Sequence, residues 1–100
     1  MSQFESIAGI DRLAKAMLDL ESEAECLAFL EDICSIKEVN DIVQRLEVAF
    51  MLDEGKNYQE ICKATGASTA TISRIKKCLV YGSGGYRTAI SRAKQREEKQ

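Results

Sequence analysis

The chain contains no histidine and no proline, and its four cysteines form no CxxC pair. Without histidine or paired cysteines the usual ligand sets for zinc cannot be assembled, so no metal site is expected. The carboxylates are spread along the chain instead of being paired in one place. No catalytic constellation can be drawn from them, and an enzyme is not expected. No apolar run approaches the roughly 20 residues needed to span a bilayer. The opening MSQFESIAGIDR has neither the basic start nor the continuous apolar run of a signal peptide. Together these absences predict a soluble cytoplasmic protein with no membrane partner. Cys26, Cys34, Cys62 and Cys78 each fall at or near an apolar helical position and read as small buried thiols of a reducing compartment.

What is present is helical periodicity in nearly every segment. Ile7, Ile10, Leu13, Ala14, Met17 and Leu18 line one face of a first helix. After a break at Glu21 and Ser22, the run Ser22-Glu-Ala-Glu25 has the form of a capping box, and Leu27, Leu30, Ile33 and Cys34 follow on a second helix. Ser35-Ile-Lys-Glu38 is another box, opening a long helix with Val39, Ile42, Val43, Leu46, Ala49 and Phe50 that stops at Gly55. Asn57-Tyr-Gln-Glu60 repeats the signature. These signals predict an all-α protein of five to six helices.

The sharpest segment is YQEICKATGASTATISRIKK, residues 58–77, which has the layout of a helix-turn-helix. Gly66 stands where the first helix must end and the chain must turn, a place that favours positive φ. Ser68 can cap the next helix. Ile61, Ile72 and Ile75 supply the apolar seam between the helices, with Cys62 keeping their crossing small. The outward face would then hold Ser68, Thr69, Ala70, Thr71, Ser73, Arg74, Lys76 and Lys77, polar at its start and cationic at its end, with Gln59 and Gln44 as further backbone contacts. Such a face suits the major groove of double-stranded DNA, although a tight pair of amphipathic helices with no DNA role has the same outline.

Charge distribution favours the first reading. The net charge is −2, but residues 1–56 carry thirteen acids and five bases, whereas residues 74–100 carry eight bases and two acids. The cationic part begins inside the second helix of the motif, where phosphate contacts would be needed. Thr69, Ala70 and Ser73 are too short for bidentate contacts to guanine, so readout would depend on water, methyl groups and DNA shape.

One hundred residues make one domain. Phe4, Phe29, Met51 and Leu52 lie off the main apolar stripes and would stay partly exposed in a monomer, which suggests an obligate homodimer. The expected organisation is a single domain, 1–96. It comprises a dimerisation core at 4–54, a helix-turn-helix at 57–78, a glycine-rich loop at 81–86 and a C-terminal helix at 87–96, with 97–100 fraying.

GASTATISR (66–74), the preceding YQEI (58–61) and the Ser35–Glu38 box together resemble the Trp repressor superfamily, over about residues 10–90. The YGSGGY stretch (81–86) is similar to the Trp-repressor-like (YerC/YecD-type) subgroup. The resemblance implies an intertwined, all-helical homodimer with a helix-turn-helix reading head on each side, and a tryptophan pocket between head and core. Ser35, Arg45, Thr71 and Arg74 match that pocket in type. Ile75 stands where the family pattern has glycine, and Cys78 where it has serine. A branched side chain at 75 would fill indole volume, and a thiol is a poor acceptor for an ammonium group. Tryptophan is therefore not the expected ligand, and no cofactor is expected. Either the head is preformed or these six positions answer to another small molecule. Arg45 reads equally well as half of an ion pair with a nearby acid.

The function predicted is a sequence-specific DNA-binding transcriptional regulator, a repressor that occupies a palindromic operator as a homodimer. The alternative is a helical protein-interaction module that keeps the motif without reading DNA. A sigma-factor or transposase head shares the motif but usually belongs to a longer chain.

Overall fold

A computed structural model describes residues 3–99. All its regular structure is helical: a 3-10 turn at Gln3–Ser6, then α1 (Ile10–Asp19), α2 (Glu23–Ile33), α3 (Ile36–Asp53), α4 (Tyr58–Thr65), α5 (Thr69–Tyr81) and α6 (Gly85–Glu98). The all-α architecture expected from periodicity is what the chain adopts. It divides into two compact units, one up to Val39 and one from Asn40 onward.

In the first unit, local capping places the helices. Ser22 accepts from the Glu25 backbone N–H at 3.1 Å, while the Glu25 carboxylate reaches back past Ser22 to the N–H of Glu21 at 2.8 Å. Ser35 and Glu38 close the reciprocal box: Glu38 N–H donates to Ser35 Oγ, and Ser35 N–H to the Glu38 carboxylate. Hydrogen bonds to the carboxylate from the Ser35 backbone N–H first, and from the Ser35 side chain second, hold the Glu38 carboxyl below its ordinary range. α1 begins at Ile10, so Ile7, read as part of its apolar face, precedes it.

Neither α1 nor α2 buries a single residue within the chain. Leu18, Leu27, Ile33 and Ile36 are between 55% and 83% exposed. The cysteine reading fails for the same reason. Cys26 and Cys78 are exposed, and Cys34 and Cys62 are only half-buried. Periodicity identifies an apolar face but not whether anything covers it.

The core lies wholly in the second unit. Val48 and Ala49 of α3, Ile61 of α4, Ala67 of the turn, Ile72, Ile75 and Leu79 of α5, and Ile90 of α6 form one cluster. α3 ends in a Schellman motif, with Gly55 N–H donating to Leu52 and Lys56 N–H to Met51. The connection after α5 is shorter than the loop expected at 81–86: Tyr81 still belongs to α5 and Gly85 already opens α6. The first helical N–H groups need no intrahelical partner, so a glycine is tolerated there. Gly82 is different, because a Cβ there would run into the Cys78 carbonyl oxygen. α6 also continues past the expected 87–96 to Glu98, taking in two residues expected to fray; Gln100 lies outside the described residues.

Candidate nucleic-acid interface

The motif at 58–77 folds by local rules. Asn57 caps α4 by accepting from the Glu60 N–H at 2.9 Å, and Ser68 caps α5 by accepting from the Thr71 N–H at 3.2 Å. Between them Gly66 takes the left-handed conformation at φ 76°. Thr65 tightens the turn: its hydroxyl donates to the Ile61 carbonyl and accepts from the Ala67 N–H. Gln44 of α3 donates from Nε2 to the Thr65 carbonyl at 3.1 Å. Gln44 is thus spent inside the fold and is not the outward backbone contact expected of it. Ile61, Ile72 and Ile75 are buried together, as the seam required.

Most of the residues read as outward-facing are exposed. Gln59, Ser68, Thr69, Ala70, Ser73, Arg74, Lys76 and Lys77 all face solvent, while Thr71 is half-buried. Two of them are braced. The Tyr58 and Ser73 hydroxyls lie 3.3 Å apart, and Lys76 Nζ sits 5.9 Å from the centre of the Tyr58 ring, within cation–π range. Ser68 donates to the Thr71 hydroxyl as well as capping the helix.

A cleft of about 320 Å³ opens between α3, α5 and α6. Arg45, Thr71, Arg74, Ile75 and Cys78, five of the six residues carried over from the tryptophan pocket, line it with Asp41, Gln44 and Tyr86. Ser35 belongs to the first unit, where its hydroxyl oxygen caps α3. Tyr86 packs half-buried against the core. Burial pushes its phenol above the ordinary value of 10.0; Cys78 adds to the rise and Arg45 opposes it.

The model of the family described as Trp repressor protein matches residues 8–94. The chain belongs to the Trp repressor family. A Bacillus subtilis (strain 168) relative, YerC, described as uncharacterized, is 49% identical over 88 residues, covering 88% of this chain and 85% of its own length. Two solved structures superpose at 40% identity. A Staphylococcus aureus protein described as a candidate Trp repressor gives a TM-score of 0.87 over 94% of this chain and 96% of its own. A TrpR-like protein of Eubacterium eligens ATCC 27750 gives 0.85 over 92% and 95%. The all-helical fold, the family resemblance read from GASTATISR and the YerC-type resemblance read from YGSGGY therefore stand for this Trp repressor relative.

Sequence reasoning missed three contributors to the site: Tyr58 as a brace for α5, Gln44 as the clasp of the turn, and Tyr86 as a wall of the cleft. Each acts across a long stretch of chain. Only Tyr86 left a trace, as an aromatic closing a glycine-rich stretch.

Proposed function

We propose that the chain is a sequence-specific, double-stranded-DNA-binding transcription regulator of the cytoplasm. In this reading it is a repressor that covers a palindromic operator as a homodimer. The observation that carries the reading is the division of α5. Ile72, Ile75 and Leu79 anchor it in the core, while Thr69, Ala70, Ser73, Arg74, Lys76 and Lys77 stand in solvent. A helix so anchored can enter the major groove with short side chains at base edges and cations at phosphates.

Dimerisation is supported by the first unit. Fully burying an aliphatic side chain contributes about 1.5–3 kcal/mol. Four side chains as exposed as Leu18, Leu27, Ile33 and Ile36 therefore withhold an amount comparable to a domain's whole net stability, about 5–15 kcal/mol. A second copy is the occupant that also supplies a second reading helix.

Tryptophan is not the effector in this proposal. Ile75 is 4% exposed and forms part of the cleft wall, so its side chain takes space there while serving the core. Gln44 fastens the turn of the motif to α3 and Tyr86 packs against the same core, direct ties that favour a constitutive reader.

The test is selection of bound sequences from a random duplex library at two salt concentrations, with and without tryptophan. Enrichment of one palindrome at both salts, tryptophan or not, is the expected result. Enrichment that needs tryptophan would overturn the effector reading. No enrichment at all would leave the interaction-module reading in its place.

A further inference from the structure

Beside the reading face lies a second concavity, of about 530 Å³, bordered by the α3–α4 turn, the start of α4, the later half of α5 and the start of α6. Three cations edge it: Lys56, Lys76 and Arg87. The one carboxylate among its lining residues, Asp53, is paired with Lys94 and so is already neutralised. Arg87 Nε donates to the Leu79 carbonyl at 2.7 Å, which anchors the guanidinium at the groove's edge. Tyr58 holds Lys76 from below through its ring.

We propose that this groove is a clamp for phosphates of the DNA backbone, adding Lys56 and Arg87 to the contacts of α5. The inference rests on the DNA-binding reading above and deepens it.

The placement of the cations argues for a duplex. An α-helix advances about 100° per residue, so Arg74 and Lys76 leave α5 on opposite flanks of Ser73. A helix seated in the major groove has a phosphate wall on each side. Arg74, with Lys77, serves one wall. Lys76 turns toward the groove, where Lys56 and Arg87 extend the positive edge along the other. Three cations around one neutralised acid attract a polyanion, and an open concavity shaped by four segments can follow a strand of phosphates. None of these side chains needs to reach a base, so the clamp strengthens binding without selecting sequence.

The experiment measures affinity for mixed-sequence and operator duplexes over a salt series, using the full chain, Lys56→Gln, and Lys15→Gln as a control of equal charge change on α1. Unchanged melting of both variants establishes that they fold. Lys56→Gln should weaken binding alike for all duplexes and lower the slope of log K against log salt by about 1, while Lys15→Gln leaves the slope unchanged. A steep wild-type slope that Lys56→Gln does not alter, or that Lys15→Gln lowers equally, overturns the clamp alone. A loss confined to one sequence overturns it too, since backbone contacts do not discriminate. If the wild type shows no salt-dependent affinity for duplex, the DNA-binding reading falls and the clamp with it. Inorganic phosphate is titrated separately by NMR. Saturable shifts at Lys56 and Arg87 without DNA would reassign the groove to a free anion and overturn the duplex source.

Discussion

The side-chain amide of Gln44 donates to the backbone carbonyl of Thr65 at 3.1 Å, so a residue of α3 fastens the final turn of α4. That carbonyl lies at a helix end, where no intrahelical N–H remains to satisfy it. The turn of the reading head is therefore tied to the core helix from outside as well as by its own glycine.

Two substitutions separate these supports. Gly66→Ala places a Cβ at φ 76°, with Gln44 Nε2 4.0 Å away, so space is adequate and the cost is that of the backbone. It should lower stability by about 1–2 kcal/mol, with Gly66→Asn milder. Gln44→Ala should cost about 0.5–1.5 kcal/mol through the lost hydrogen bond. Urea midpoints at constant slope measure both.

Ile72 is wholly buried between the two helices of the head, while Thr69 faces solvent one turn earlier. Ile72→Ala should lose about 2–5 kcal/mol. Thr69→Ala should stay within about 0.5 kcal/mol yet alter which duplexes are bound. Thermal melting paired with duplex selection distinguishes the anchored face from the reading face.

The capping box of α3 should give stability a pH dependence. Its hydrogen bonds to Ser35 depress the Glu38 carboxyl below 4.5, so the bonds are fully present above that pH and are lost as pH falls through the depressed value. Melting of the wild type against Glu38→Gln should therefore diverge at pH 7 and converge as pH drops below 4.5. Ser35→Ala should lower helix content with no ligand present, because its hydroxyl oxygen serves the backbone.

Leu18 and Ile36 are each 83% exposed. On a free monomer surface, an aspartate at either place would change stability by less than about 0.5 kcal/mol. If a second copy covers them, Leu18→Asp or Ile36→Asp should instead split the dimer in analytical ultracentrifugation and lower the melting temperature in a concentration-dependent way. A wild type that sediments as a stable monomer at all concentrations would remove the homodimer reading.

Signals confined to a few neighbouring residues were legible in the sequence. Ser22, Ser35, Asn57 and Ser68 announced their helices because capping acts between residues three apart. Gly66 announced the turn, and Ile61, Ile72 and Ile75 announced its seam. The joins between distant segments were not legible. Tyr58 meets Ser73 fifteen residues on, and Gln44 meets Thr65 twenty-one residues on, with no periodic pattern to mark either. The cysteines were misread because an apolar period cannot say whether a face is covered within its own chain. Lys56 and Arg87 stand thirty-one positions apart, and only the fold sets them around one concavity.

Gly82 has a consequence for how this family can drift. Its backbone passes so near the Cys78 carbonyl that any side chain would collide with the chain itself. Substitution at this site would distort the last turn of α5, from which the connection to α6 leaves. Descendants should therefore keep glycine here while exchanging freely at Ser83 beside it. An unchanging position in this connection would then record a steric bottleneck and be no sign of contact with any molecule.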